Sequence, residues 1–273
     1  MVNVQDWSGR VGEEWADKAE ALDGMLGPFG DAGIDALGDV VGKRIIDLGC
    51  GAGATSIALA DRGALVTGVD VSEALLDVAR TRDPDMRCAF VLADAGEVEL
   101  ARRFDALYSR CGAMFFDAPV PAFRHLHGQL RDGAALSIVC WTDPADNEWA
   151  QLPLDLAAPI LGPCAPSVAG RPGPFAWARE EIFLPILREA GFSGISAEIV
   201  ERDAPVGAGL AEDPLERAAH FCTRIGPLAR HLRDHGRDMR AEVRDALMDG
   251  FAGRVANGAV HLKGRAWVIT AQS

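Results

Sequence analysis

The sequence predicts an α/β fold: a doubly wound, mostly parallel seven-stranded sheet with an antiparallel last strand and helical insertions. Short apolar runs alternate with helical patterns between residues 43 and 142, as expected for a parallel sheet with helices on both faces. A glycine turn, Gly49 to Ala54, joins the first apolar run directly to a helical pattern. Near the end of the chain, two further apolar runs bracket a helical segment, which favours an antiparallel closing strand.

The composition is that of an ordinary globular protein with an excess of acidic residues. Hydrophobic residues make up 49% of the 273 residues and charged residues 25%, which suits one large domain or one domain with an insertion. The 27 Lys and Arg against 40 Asp and Glu leave a formal charge of −13. Because nucleic acids and anionic membranes attract clustered basic side chains, we expect neither as a partner.

The cysteines and the N-terminal residues favour a cytoplasmic protein. The six cysteines are scattered, with no C-x-x-C pair, so we expect reduced thiols, mostly buried. The N-terminus has no basic region followed by an apolar run, and no uncharged stretch approaches about 18 residues. We therefore expect neither a signal peptide nor a membrane span.

Residues 1–42 are predicted to form an N-terminal helical segment, which we interpret as a lid. Trp7 and Trp15 flank a turn that contains glycine. Glu13 to Met25 has the apolar spacing of a helix, and Pro28 is expected to start a second helix.

Residues 43–142 carry the strands of the predicted core. These strands are Arg44 to Leu48, Ala64 to Asp70, Cys88 to Leu92, Phe104 to Tyr108 and Ala134 to Trp141. Their apolar character suits parallel strands that are covered on both faces.

The rest of the chain is predicted to hold two insertions and the last strands. Residues 143–178 are rich in proline and break the periodicity, so we expect an irregular insertion there. Residues 179–273 are expected to complete the sheet, with strands at Ile195 to Glu201 and Arg265 to Thr270. A charged helical insertion is predicted at residues 210–256.

The glycine turn by itself fits two classes of ligand. Gly49, Gly51 and Ala54 match the G-x-G-x-x-A spacing of a dinucleotide fold. Asp70 stands where such a fold has its ribose-binding acid. The spacing therefore leaves a nicotinamide dinucleotide open.

The carboxylates near the turn favour a different ligand. Asp47 precedes the turn inside the first strand, where it would repel a pyrophosphate and attract an ammonium group. Asp94 ends the third strand as Asp70 ends the second, and this row of acids suits ribose hydroxyls and an exocyclic amine.

These motifs resemble those of the class I S-adenosylmethionine-dependent methyltransferases. Ile46 to Gly53 is similar to the first motif of that family, Val69-Asp70 to its ribose-binding acid, and Ala93 to Ala95 to its adenine-contacting turn. Asp105 to Ser109 resembles the fourth-strand motif. Leu130 to Ala134 resembles the turn before strand five, with aspartate in place of the usual proline. A looser similarity extends to the bacterial small-molecule branch related to quinone-pathway methyltransferases, where N-terminal aromatic residues cover the cofactor.

The resemblance implies a Rossmann-like fold, S-adenosyl-L-methionine as cofactor and S-adenosyl-L-homocysteine as its product. Asp47 would hold or orient the amino group, whereas Asp70 would hold the ribose hydroxyls and Asp94 the adenine amine. The cofactor-binding residues that it implies are Trp7, Trp15, Asp47, Gly49, Cys50, Gly51, Gly53, Asp70, Val71, Leu75, Asp94, Ala95 and Ser109.

The resemblance further implies methyl transfer to an oxygen, nitrogen or carbon atom of a small metabolite. The insertions contain apolar side chains that predict a largely apolar acceptor pocket: Trp149, Leu152, Phe175, Trp177 and Phe221. The catalytic residues stay unknown, with His220 and Asp143 as candidates for a general base.

We expect no metal, since His231 and His235 have helical spacing but lack a third ligand. The expected partner is a small molecule, and the sequence allows a homodimer without requiring one. Two other functions stay open, an NAD(P)-dependent oxidoreductase and a non-catalytic S-adenosylmethionine-binding domain.

Overall fold

The computed structural model describes residues 7, 9–100, 103–165, 170–209 and 213–273. Parts of four predicted segments lie outside the described residues. These are 1–6 and 8 of the N-terminal segment, 101–102 of the core, 166–169 of the proline-rich insertion and 210–212 of the helical insertion.

The described strands form one eight-stranded sheet of order β3-β2-β1-β4-β5-β8-β6, with the short β7 paired to β8. In chain order they are β1 Arg44–Leu48, β2 Leu65–Asp70, β3 Ala89–Leu92, β4 Phe104–Arg110, β5 Leu130–Trp141, β6 Ser193–Val206, β7 Val255–Ala256 and β8 Ala259–Gln272. Strands β1 to β5 pair in parallel, whereas β8 is antiparallel to both of its long neighbours. The predicted Rossmann-like sheet with an antiparallel last strand is confirmed.

Helices cover both faces of this sheet. They are α1 Arg10–Asp17, α2 Ala19–Ala36, α3 Ala54–Asp61, α4 Glu73–Arg82, α5 Pro119–Gly128, α6 Glu148–Leu161, α7 Glu180–Ala190, α8 Pro214–Arg224, α9 Pro227–His231 and α10 Arg237–Phe251. Local signals start several of them: the Ser72 hydroxyl accepts from the Leu75 amide at 3.4 Å, and proline opens α5, α8 and α9. None of the described helices combines the length and the apolar character that a bilayer crossing needs.

Prolines interrupt the helices less than the sequence predicts. Pro28 lies inside α2 rather than at the start of a second helix, and the proline-rich insertion contains α6 with Pro153 and Pro159 inside it. Pro185 likewise lies inside α7. Each proline removes one helical hydrogen bond, but all three helices bury apolar side chains against the core, and this packing offsets the loss.

Helix α2 is anchored to the sheet by two of its own carbonyls. The Tyr108 hydroxyl donates to the Gly30 carbonyl at 3.0 Å, and the Ser137 hydroxyl donates to the Gly33 carbonyl at 2.7 Å. A β-carbon at Gly33 would run into Val139 and Tyr108. The helix therefore sits directly on β4 and β5, with its N-terminal half beside the carboxyl end of β4.

The aromatic residues of the insertions belong to the core, which corrects their predicted role as an acceptor pocket. Trp149, Phe175, Trp177 and Phe221 are between 2% and 6% exposed, and Leu152 packs against the same cluster. Trp149 stacks on Phe175 at 5.7 Å between ring centroids. Because each ring is covered by its neighbours, composition alone could not distinguish this core from a pocket.

Candidate functional site

A cavity opens at the carboxyl ends of the parallel strands, between the sheet and helices α1 and α2. The ends of β1, β2 and β4 and the loop after β3 supply its floor, and the two N-terminal helices supply its cover. Most of the predicted cofactor residues line it: Trp7, Trp15, Gly49, Cys50, Gly51, Asp70, Val71, Leu75, Asp94 and Ala95.

The glycine turn forms the middle of the cavity floor. Gly49 and Gly51 have positive φ angles of 65° and 52°, a region that glycine enters without steric cost. A β-carbon at Gly49 would lie 2.9 Å from the Gly112 α-carbon. Glycine at positions 49 and 112 thus lets the turn after β1 and the turn after β4 touch. The turn after β1 also presents bare backbone to the cavity at Gly49 and Gly51.

Asp70 ends β2 and is held in place by backbone amides. Its two carboxylate oxygens accept from Gly51 N at 2.8 Å and from Ser72 N at 2.9 Å. Burial raises the pKa of Asp70 above its ordinary value, although these amide hydrogen bonds act in the opposite direction. Each oxygen keeps a second acceptor site, so the carboxylate can also accept from hydroxyl groups of a ligand.

Asp94 closes the same side of the cavity in the loop after β3. One of its oxygens accepts from Gly96 N at 2.8 Å, which leaves the other for a ligand donor. Val71, Leu75 and Ala95 lie on this side of the cavity and provide apolar surface for a flat ring.

Asp47 lies behind the turn and does not line the cavity, and its predicted part in holding or orienting the amino group stays a prediction. It is fully buried, and its Oδ2 accepts from Thr55 Oγ1 at 2.8 Å and from Ser56 Oγ at 2.7 Å. Its Oδ1 has no hydrogen-bond partner among the described residues, and burial raises the pKa of this carboxyl. Through these hydrogen bonds Asp47 connects the end of β1 to the start of α3.

Gly53 and Ser109 also stand outside the cavity lining. A β-carbon on Gly53 would lie 2.8 Å from the Ala79 β-carbon, so this glycine packs against α4. The Ser109 hydroxyl donates to the Leu48 carbonyl at 2.8 Å and accepts from Ala113 N at 3.1 Å. Both residues support the turns that line the cavity, and their predicted part in cofactor binding stays a prediction.

Neither candidate for a general base lines the cavity. Asp143 pairs with Arg179 at 2.9 Å, and the hydrogen bond from Arg179 lowers the pKa of Asp143, which makes it a weaker base. His220 lies on the exposed side of α8.

His231 and His235 face each other with ring centroids 5.6 Å apart, and no group of three or more potential metal ligands occurs in the described part of the chain.

Sequence reasoning missed a charged group in the cavity wall. Arg110 and Asp23 both line the cavity and form a 2.7 Å ion pair, while Arg82 pairs with the other oxygen of Asp23 at 2.6 Å. Arg110 ends β4 as Asp70 ends β2. Its position at that sheet edge was therefore a usable signal, whereas the contact with Asp23 depends on how α2 packs.

An aromatic cluster over the cavity was predicted only in part. Trp7 meets Trp15 edge to face at 4.9 Å and Phe115 at 5.1 Å. Phe115 and Phe116 follow β4 and also line the cavity. The two tryptophans were singled out from the sequence, but the two phenylalanines carry no local signal for this role.

Comparison with known proteins agrees with this geometry. Residues 46–138 match a family profile described as a methyltransferase domain. A ubiquinone biosynthesis O-methyltransferase from Pseudomonas aeruginosa is 36% identical over 106 residues, or 37% of this chain and 45% of that protein. A demethylmenaquinone methyltransferase from Beutenbergia cavernae is 29% identical over 173 residues, or 60% of this chain and 71% of that protein.

A solved structure shares the fold across most of the chain. Phosphoethanolamine N-methyltransferase 2 of Haemonchus contortus, in complex with S-adenosylhomocysteine, superposes with a TM-score of 0.52 at 17% identity. The match covers 89% of this chain and 51% of that one.

The family profile and the curated relative match different extents of the proteins compared. The match to the ubiquinone relative spans less than half of that protein, whereas the family profile includes the glycine turn, Asp70 and Asp94. Residues 46–138 are thus similar to methyltransferase domains, and the chain spans less than half the length of the ubiquinone relatives that it matches.

Proposed function

We propose that the protein transfers a methyl group from S-adenosyl-L-methionine to an oxygen, nitrogen or carbon atom of a small, largely apolar metabolite. The observation that carries the proposal is the pairing of the bare glycine turn with Asp70, whose carboxylate accepts from Gly51 N and keeps acceptor sites toward the cavity. The family match over the same residues supports this assignment.

The donor and acceptor groups of the cavity fit this cofactor. Its ribose hydroxyls and its adenine amine are hydrogen-bond donors, and Asp70 and Asp94 offer acceptors. Val71, Leu75 and Ala95 offer apolar surface for the purine. When bound, the cofactor supplies a methyl group on a positively charged sulfur, which is a good leaving group.

The contribution of the chain to the reaction is then mainly positional. The described residues that line the cavity include no histidine, lysine or tyrosine, and burial raises the pKa of the lining Cys111 to about 12. A strong resident base is therefore missing from the described lining. We infer that alignment of the reacting groups and exclusion of water do most of the work, and that the acceptor is nucleophilic without help from a histidine.

The acceptor site is proposed to lie under the N-terminal helices. Trp7, Trp15, Phe115 and Phe116 give this end of the cavity an aromatic wall, which suits an apolar or aromatic acceptor. We propose that α1 and the first turns of α2 act as the lid over it. A cytoplasmic location and the lack of a nucleic-acid partner remain parts of this proposal.

The cofactor is tested by calorimetry with S-adenosylhomocysteine and with NAD. We expect binding of the first and none of the second; the reverse result would favour an oxidoreductase. Asp70→Asn should weaken binding of S-adenosylhomocysteine by roughly 10- to 100-fold, the loss expected for hydrogen bonds to a charged group. Asp143→Asn is the matched control, because that aspartate lies outside the cavity.

The reaction is tested by incubating the protein with methyl-labelled S-adenosylmethionine and a panel of phenols, quinols, amines and thiols, followed by mass spectrometry. Label in a small molecule supports the proposal. Label found only in proteins or nucleic acids contradicts the substrate class. Binding of the cofactor without transfer to any metabolite extract would identify a non-catalytic binding domain.

A further inference from the structure

We propose that Arg110 binds the α-carboxylate at the amino-acid end of the cofactor, and that Asp23, clamped between Arg110 and Arg82, holds the guanidinium in position. This inference rests on the proposed function, because it assigns one end of the same cavity. It gives a ligand-binding role to a residue outside the glycine turn and the row of acids.

The first argument is the burial of a charge that faces the cavity. The Arg110 side chain is 10% exposed and lines the cavity. Among the described residues of that lining it carries the only positive charge. A buried guanidinium has five donors in a fixed fork, and Asp23 is the ion-pair partner that the structure gives it. Donors therefore remain for a ligand.

The second argument is a count of charge around Asp23. Its two oxygens receive Arg110 at 2.7 Å and Arg82 at 2.6 Å, so two cations share one anion and the group carries a net charge of +1. Asp47 is the nearby carboxyl that Arg110 influences, but burial outweighs that influence and raises the pKa of Asp47. It is therefore a poor counter-charge, and an anionic ligand would complete the balance.

The third argument is the order of the strands. In the sheet the strands lie in the order β3-β2-β1-β4. Asp94 follows β3 and Asp70 ends β2, whereas Arg110 ends β4 on the other side of β1. The Arg110 side chain passes Gly30, where a β-carbon would lie 3.0 Å from its Cδ and 3.5 Å from the Thr55 methyl carbon. Arg110 therefore lies beside the start of α3. The cavity is acidic at one end and cationic at the other.

This distribution of charge along the cavity fits the cofactor in only one orientation. The nucleoside end presents hydrogen-bond donors, which suit the acids, and the amino-acid end presents a carboxylate, which suits a guanidinium. The same carboxylate–guanidinium chemistry could serve an anionic acceptor instead, and the experiment separates the two.

The test measures binding of two ligands to the full-length protein by calorimetry. One is S-adenosylhomocysteine, and the other is its decarboxylated analogue, which keeps the amine and lacks the carboxylate. The wild-type protein should prefer the first by roughly 10- to 100-fold, the range for one charge-assisted pair. Arg110→Gln should remove that preference by weakening S-adenosylhomocysteine alone. Arg110→Lys, which keeps the charge without the fork, should lie between.

Arg179→Gln is the matched control, because Arg179 pairs with Asp143 and neither residue lines the cavity. It should leave the preference intact. Arg82 contacts Asp23 and donates to the Ala52 carbonyl at 3.2 Å, but it does not line the cavity. Arg82→Gln removes the surplus positive charge and keeps the Arg110 fork, so it should reduce the preference by less than Arg110→Gln does.

Several results would overturn the inference. They are an equal loss of both ligands in Arg110→Gln, a preference that survives in that variant, or a variant whose only change is a higher KM for an anionic acceptor. If Arg110→Gln does not fold, equal binding of both ligands by the wild-type protein still refutes it. Failure of the wild-type protein to bind S-adenosylhomocysteine at all would instead refute the proposed function.

Discussion

Two aromatic clusters of this protein have the same spacing between tryptophan rings and differ in what surrounds them. In the cavity cluster, Trp7 meets Trp15 at 4.9 Å; in the core cluster, Trp141 meets Trp149 at the same distance. Trp15 is only partly buried and lines the cavity, whereas Trp149 is 6% exposed and covered by its neighbours. Ring contacts therefore do not identify a binding site; an aromatic face without a protein neighbour does.

The core cluster is further held by a buried amide. Asn147 is fully buried, and its Oδ1 accepts from Trp149 Nε1 at 3.1 Å and from Arg265 N at 2.9 Å. Its Nδ2 donates to Thr142 Oγ1 at 3.1 Å. One side chain thus connects the end of β5, the start of α6 and the strand β8, which leaves this cluster no freedom to open for a ligand.

The largest effect is expected in the core cluster. Trp149→Ala should lower the free energy of unfolding by about 3–5 kcal/mol, because it empties a covered site and removes a partner of Asn147. Urea denaturation measures this loss. Affinity of the folded variant for S-adenosylhomocysteine should stay within about twofold of wild type, and a large loss of affinity would show that the two clusters are coupled.

Gly12→Ala should have the next largest effect, on the cover of the cavity. A β-carbon there would meet Ser72 Oγ and the Trp7 carbonyl oxygen, and such overpacking costs about 1–3 kcal/mol. We expect α1 to lift, the affinity for S-adenosylhomocysteine to fall and the urea midpoint to decrease. Gly27→Ala is the control, because its β-carbon would meet nothing within 4 Å. Unchanged affinity in Gly12→Ala would argue that α1 does not cover the bound ligand.

Trp15→Ala should give a smaller effect than Trp149→Ala, and it should change mainly the ligand affinity rather than the stability of the fold. The affinity for S-adenosylhomocysteine should fall by roughly tenfold, the value of one aromatic contact with a ligand, while the free energy of unfolding changes less than in Trp149→Ala. Trp15→Phe should recover most of the affinity. If Trp15→Ala instead destabilises the fold as much as Trp149→Ala does, both clusters are core.

The smallest effect concerns pH and contrasts an acid of the cavity with one outside it. Burial raises the pKa of Asp70, whereas the hydrogen bond from Arg179 lowers that of Asp143. As the pH falls from neutral, Asp70 should take up its proton above the ordinary aspartate value of about 3.9, and affinity for S-adenosylhomocysteine should fall in that window. The loss should be absent in Asp70→Asn and present in Asp143→Asn. Affinity that is flat with pH in wild type would contradict the assignment.

The raised pKa of Asp70 and the lowered pKa of Asp143 change the pH dependence of the free energy of unfolding in opposite directions. A raised folded-state pKa means that the stabilisation from Asp70 is fully present below the unfolded-state pKa and is lost as the pH rises through the folded-state value. For Asp143 the contribution is present above the unfolded-state pKa and is lost as the pH falls through its lowered folded-state value. Comparing unfolding of the two Asn variants with wild type across this range separates the contributions.

The sheet and its acidic edge could be predicted because their signals are local. Apolar runs identified the strands, and a carboxylate at a strand end identified Asp70 and Asp94 as residues of one edge. Asp47 has the same kind of signal, yet its side chain turns to Thr55 and Ser56. Strand position alone does not say whether a side chain faces the cavity or the first turn of the following helix.

The rest of the site depends on contacts between distant segments. The pair Asp23–Arg110 joins residues 87 positions apart, and no pattern in either segment announces it. The aromatic residues of the insertions were assigned to a pocket on composition, but their rings are covered by partners that only the folded chain brings together. The helices that run through Pro28 and Pro153 exist for the same reason, since tertiary packing outweighs local propensity.

The position of β8 determines when the sheet can be completed during synthesis of the chain. β6 pairs with β8, and β5 pairs with β8 on the side away from β4. On a ribosome, both strands are synthesised before residue 259, so each emerges with an open edge that only the last strand will fill. Until then the nascent chain exposes two templates for unwanted strand pairing. Charged side chains along β6 are suited to discourage that pairing until β8 has been synthesised. They are Glu198, Glu201, Arg202 and Asp203.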